Sequence, residues 1–162
     1  MTSARWLDPE ERQAWLALLA VTTLLPGKLD AVLQQAKVTL FDYNVLAMLS
    51  EAEDRTLPMS ELASRTYSSL SRLSHVVKKL EQRGWVSRSQ CADDARVTMA
   101  TLSDQGFKTI DELAPAHVES VRQVIFDGLD RRDVADLERI GKKVVELLEP
   151  TSWVLREPRL NS

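Results

Sequence analysis

The sequence predicts a mostly α fold with one small β element near its middle, and three observations carry that prediction. Apolar residues recur at helical spacing in long stretches on both sides of a central segment. Within that segment, the helix that runs from Ser68 or Ser69 to Arg83 phases at about 100° per residue onto two opposed faces. Leu70, Leu73, Val76, Val77 and Leu80 fall on one face, with Ser68, Ser71, His75, Lys78 and Gln82 opposite and Arg72, Ser74 and Lys79 on the flanks. Finally, residues 85–88 and 97–102 read as short strands joined by the polar loop C-A-D-D-A.

Taken in order, Asp8-Pro9-Glu10-Glu11 starts the first helix, with Asp as N-cap, Pro in the first turn and Glu three residues on. Its apolar positions are Trp15, Leu18, Leu19, Leu25, Leu29, Val32, Leu33 and Ala36, with Leu16, Val21 and Leu24 widening the stripe. One core does not satisfy so apolar a helix, which points to a partner chain. Pro26-Gly27 is expected to bend or break it. Thr39 with Asp42 caps a second helix that buries Phe41, Val45, Leu46 and Leu49. Residues 57–59 read as a strand, Ser60 as the cap of a short helix, and Thr66-Tyr67 as a turn. Ser68 or Ser69 caps the amphipathic helix that follows, and Gly84 supplies the left-handed residue at its end. Ser103-Asp104 opens a long helix with Phe107, Ile110, Leu113, Ala114, Val118, Val121 and Ile125 at helical spacing and an expected kink at Pro115. Asp130 caps a last helix with Val134, Leu137, Ile140, Val144, Leu147 and Leu148 apolar. Trp153-Val154-Leu155 in the tail is expected to pack on a partner subunit or to fray.

The chain has 162 residues, about one domain, and an ordinary apolar fraction of 44%. It contains no unbroken run of 18 apolar residues and no apolar segment after Met1, so neither a membrane span nor a secretory signal is expected. The single cysteine, Cys91, fits a reducing compartment, and a cytoplasmic location is expected. Net charge is −3, yet Arg65, Arg72, Lys78, Lys79, Arg83 and Arg88 stand against Glu81 alone between residues 65 and 89. That local +5 leaves −8 for the rest, a basic patch on an acidic body.

A helix face that is small and polar in front and basic behind suits the major groove of a duplex. Serines permit close approach to base edges, and Lys and Arg meet phosphates. The segments S-E-L-A-S-R-T, L-S-R-L-S-H-V-V-K-K-L-E-Q-R-G-W-V-S-R and D-D-A-R-V-T-M-A-T-L-S-D-Q-G occur in that order. Together they resemble the winged helix-turn-helix of the MarR family of bacterial transcription regulators, with a core match over residues 57–106. The resemblance implies that Ser71, Arg72, Ser74, His75, Lys78 and Lys79 face DNA. It also implies that Asp94 braces the wing through an Arg while Arg96 reaches the minor groove. With Ser68 on the same face and Arg88 in the same basic stretch, these complete the candidate DNA-binding set. His75 stands where many members carry Arg, and Ala95 where a second wing Arg is common; both bear on strength and sequence preference. The resemblance further implies a homodimer on a pseudo-palindromic site, acting as a repressor and released by a small aromatic effector. Trp15, Tyr43 and His117 are the candidate effector contacts, each pairing an apolar body with a polar edge.

Competing chemistry finds little support. His75 and His117 are not spaced with Cys, Asp or Glu as metal ligands, and there is no glycine-rich phosphate loop and no G-x-S-x-G. No enzyme, metal or cofactor is expected. Cys91 reads as a loop cysteine rather than an oxidant sensor, since Asp93-Asp94 oppose a thiolate. The expected organisation is an N-terminal dimerisation helix (1–38), a winged helix-turn-helix (39–102), C-terminal dimerisation helices (103–149) and a tail (150–162). The rival reading is a winged-helix module for protein or ligand contact with little affinity for DNA.

Overall fold

A computed structural model describes residues 4–156. The first helix, α1 (Pro9–Leu33), begins on the expected reciprocal cap. The Asp8 carboxylate accepts from the Glu11 amide at 2.8 Å, and the Glu11 carboxylate accepts from the Asp8 amide at 3.0 Å. Pro26 does not break α1, contrary to expectation: the turn after it is anchored by the buried Leu29 and Leu33, and packing outweighs the lost backbone bond. Only those two residues of α1 are buried, while Trp15, Leu16, Leu18, Leu19, Val21 and Leu24 are exposed. The chain has no unbroken run of 18 apolar residues, yet the helix within residues 9–36 has the length and composition of a membrane span: an 18-residue window inside it reaches a mean hydropathy of 1.6, its apolar run interrupted mainly by Thr, Pro and Gly.

Helix α2 (Leu40–Ser50) starts on the Thr39–Asp42 cap and sends Tyr43, Val45, Leu46 and Leu49 into the core. Strand β1 (Thr56–Pro58) follows, then α3 (Met59–Arg65) and α4 (Leu70–Gln82). Ser60 is not the cap of α3: the helix already starts at Met59, directly after Pro58, and has no side-chain cap. Ser69 caps α4, accepting from the Arg72 amide at 3.2 Å, and Gly84 at φ 72° reverses the chain after it. Leu73, Val77 and Leu80 of α4 are buried, but Leu70, on the same side at the very start of the helix, is exposed.

Strands β2 (Val86–Gln90) and β3 (Thr98–Leu102) form an antiparallel hairpin, with β1 on the other edge of β3 and Leu57 opposite Ala100. Helix α5 (Asp104–Val124) leaves β3 through the Ser103 cap. Its Gly106 is required by a close approach: a Cβ there would lie 2.2 Å from the Trp85 carbonyl oxygen. Pro115 does not interrupt α5 either. The last helix, α6 (Arg131–Leu148), starts on an Asp130–Asp133 cap and buries none of its residues. One core joins α2, α3, α4 and the sheet, reached from outside by Leu33 of α1 and Ile110 of α5.

Candidate nucleic-acid interface

Two helices joined by a tight turn, and a hairpin behind the second, rest on that core. The buried side of α4 fixes which residues face outward: Ser71, Arg72, His75, Lys78 and Lys79 are all exposed, and Ser74 is half-buried. Ser68 lies in the turn, half-buried, its hydroxyl 3.1 Å from that of Thr66. The turn passes through Tyr67 at φ 50°, a left-handed conformation that side chains adopt at a cost.

The basic patch is smaller in space than in sequence. Lys79 turns toward the body, its ammonium on the buried carboxylate of Asp42. Arg88 grips Glu81 through Nε and Nη2, at 3.0 and 2.7 Å, and reaches Ser74 at 3.4 Å. Arg65 pairs with Glu61 one turn earlier in α3. Arg83 donates to the carbonyls of Ala36 and Lys37 and lies 3.5 Å over the Trp85 ring. These four brace the module in the free protein, a role the charge count missed because Asp42, Ala36 and Lys37 are distant in sequence. Arg72 and Lys78 remain on the outer face, Arg72 with its guanidinium 4.2 Å over the Phe41 ring.

In the hairpin loop, Arg96 closes on Asp94 through both its side chain and its backbone amide, each contact 3.0 Å. The brace predicted for Asp94 is therefore Arg96 itself, and the pair holds the Asp94 carboxyl below the usual range. Arg96 stays highly exposed, its side chain at 90%, so water screens the pair and little free energy holds it closed. Cys91 is half-buried at the foot of this loop, its amide bonded to the Val97 carbonyl at 2.8 Å.

Tyr43 and His117 come together, their ring centroids 4.1 Å apart. Burial lowers the imidazole pKa and leaves Nδ1 without a partner among the described residues. Burial, with Glu51 nearby, raises that of the Tyr43 phenol. Trp15 is not in this ring pair; it stands on the exposed half of α1, about 21 Å of helix from Leu29. A cavity of about 390 Å³ between α1, α2 and α4 is lined instead by Pro26, Asp30, Thr39, Leu40, Phe41, Asn44 and Arg72. Among the described residues no three His, Cys, Asp or Glu side chains gather as metal ligands would.

A short helix, a turn, an outward-facing second helix and a hairpin packed behind it define a winged helix-turn-helix protein. Residues 38–98 match the model of the MarR family. Among solved structures, AbsC of Streptomyces coelicolor, a MarR family transcriptional regulator, is 38% identical with a TM-score of 0.87, over 91% of this chain and 100% of that one. Sco3205 of the same organism, solved in complex with DNA, is 39% identical with a TM-score of 0.88, over 93% and 95%. The regulator PecS of Dickeya dadantii is 28% identical over 120 residues, 74% of this chain and 72% of that protein. The chain belongs to the MarR family, and these relatives are transcriptional regulators rather than enzymes.

Proposed function

We propose that two copies of this chain pair through α1, α5 and α6 and bind a pseudo-palindromic DNA site as a repressor in the cytoplasm. The observation that carries the reading is the outer face of α4: Ser71, Arg72, His75 and Lys78 project together from a helix whose other side is locked in the core. In this reading the N-terminal residues of α4 contact base edges in the major groove, and Lys78 meets phosphate. Arg96 leaves Asp94 for the minor groove. Lys79, Arg88 and Ser74 act mainly by holding α4 and the wing in place, and Ser68 by shaping the turn. A dimer then sets two such helices about 34 Å apart, one turn of duplex. Residues 1–38 and 103–149 serve the pairing and 39–102 the reading. Occupying a promoter suffices for repression and asks no further surface of the protein.

The apolar length of α1 is assigned to this pairing rather than to a lipid bilayer, and sedimentation of the full chain as a dimer without detergent tests that assignment. A small aromatic effector at Tyr43 and His117 fits the orphaned imidazole nitrogen, and it would release DNA by favouring a dimer with wrongly spaced readers. The decisive experiment is the salt dependence of affinity for a duplex enriched from a random pool. A reader that neutralises several phosphates loses affinity with a slope of about −0.9 per contact. Arg72→Ala is expected to change base preference by about 1–3 kcal/mol at one position. A flat salt response would favour the rival reading, a protein-contact module.

A further inference from the structure

After α6 the chain turns back onto the helix-turn-helix instead of fraying or waiting for a partner. The Ser152 amide closes a turn on the Glu149 carbonyl at 3.0 Å, and Trp153–Leu155 form a single 3₁₀ turn. Ser152 is buried, and its hydroxyl lies 2.7 Å from the Tyr67 hydroxyl. The Trp153 indole N–H donates to the Arg65 carbonyl at 3.1 Å. Both targets belong to the joint between the two helices. Arg65 ends α3, where carbonyls run out of intrahelical partners. Tyr67 is the left-handed residue of the turn, two positions before the Ser69 cap of α4.

We propose that Ser152 and Trp153 are positioning residues for DNA recognition: the tail is a strap that fixes the pose of the recognition helix against α6. The inference rests on the DNA-binding reading above. The strap's contacts are directed hydrogen bonds, one to an orphan carbonyl and one to a residue in a costly conformation, so they restrain the angle at the joint. A tail that merely covered apolar surface would have no need of them. The strap leaves directly from α6, whose apolar face is open in the single chain. Displacing α6 within a dimer therefore pulls on the turn at Tyr67, only two residues from the Ser69 cap of the helix that enters the groove.

The test uses the full chain as wild type, Trp153→Phe, Ser152→Ala, Tyr67→Phe and the double variant Tyr67→Phe/Ser152→Ala. The probes are a duplex enriched from a random pool by the wild type and an unrelated duplex of equal length. Trp153→Phe keeps an aromatic ring and removes the N–H. That variant and Ser152→Ala are each expected to weaken the enriched duplex about three- to tenfold, the size of one hydrogen bond. Affinity for the unrelated duplex and the salt slope should stay within about twofold of wild type, because the phosphate contacts are unchanged. The double variant should be no worse than either single one, since both remove the same bond. Amide exchange should quicken at Thr66, Tyr67 and Ser68 and stay unchanged in α5. Parallel loss on both duplexes together with a lower melting temperature would reduce the tail to general packing and overturn the strap. So would unchanged affinity with unchanged exchange. If the wild type enriches no duplex, the DNA reading has failed, and exchange at the turn still decides: acceleration confined to those amides supports the strap, and its absence overturns it.

Discussion

Leu46, Leu49, Leu62, Leu73, Val77 and Leu80 in the central module are shut away from water, whereas Leu16, Leu19 and Leu24 on α1 and Leu137, Ile140 and Leu147 on α6 stand open. The residue types and the helical spacing are the same in both sets. What differs is the element that covers them. In the module the covering element lies within about sixty residues of the same chain; at the termini none of the described residues supplies it. Each covered leucine is worth about 1.5–3 kcal/mol, so exposed stripes on two helices make a strong drive toward association. Periodicity thus tells which face is to be buried and is silent on whose surface buries it.

The comparison is broken most severely by charging the open faces. Leu19→Glu with Ile140→Glu should abolish pairing, seen as a halved mass in sedimentation, and lower affinity for the enriched duplex by about a hundredfold or more through lost bivalency. The circular dichroism of the module should persist. If the doubly charged variant remains dimeric, the pairing assigned to α1 and α6 is wrong. The converse change, Leu80→Ala, leaves the open faces alone and cuts a hole in the module core. It should cost about 2–5 kcal/mol in denaturant unfolding, with the association state of the remaining folded protein unchanged.

Neighbouring lysines sharpen the contrast within α4. Lys79→Met strands the buried Asp42 carboxylate without its cation, and a stability loss of about 1–3 kcal/mol is expected, discounted because Lys79 itself is partly exposed. Lys78→Met should leave stability nearly untouched and flatten the salt slope of DNA binding by about one unit. Equal stability of the two variants in urea would mean that the Asp42 pair does no bracing.

The elements were legible where the chemistry is local. Asp8, Thr39, Ser69, Ser103 and Asp130 cap helices by reaching two or three residues along the chain, and Gly84 ends α4 through its own φ. The failures are of two kinds. Pro26 and Pro115 carry a helix-breaking propensity that packing overrides, through Leu29 and Leu33 after Pro26 and through Ile110 and Ser120 around Pro115, and Leu70 obeys the helical period yet stands exposed at the start of α4. The outward set on α4 was legible because one turn of helix determines it. The duties of Lys79, Arg83 and Arg88 were not, since their partners are set by tertiary folding. The Lys79–Asp42 pair spans 37 residues and the Tyr67–Ser152 contact spans 85. Glu61 with Arg65 one helical turn on, and Glu81 with Arg88 on either side of the Gly84 reversal, are the pairs whose signal lies in the local sequence.

The smallest effect concerns the one described side chain at the junction of both regions whose charge changes near neutrality and whose pKa burial lowers. His117 of α5 packs its ring on Tyr43 of α2, so its protonation adds charge where the terminal helices meet the module. Because burial lowers the folded-state pKa, the unfolded chain binds the proton more readily. The resulting stability is present in full above the ordinary histidine value of about 6.5 and declines as pH falls below it. His117→Phe keeps an aromatic ring on Tyr43 and removes the proton site. Its unfolding free energy should lack that acid-side decline, so the difference between wild type and variant should change between pH 7.5 and pH 5 and be constant above about 7. A pH-independent difference would show that the imidazole is as free to charge in the folded protein as in the unfolded chain. The junction would then be open to water, and the boundary between the satisfied module and the unsatisfied ends would lie elsewhere.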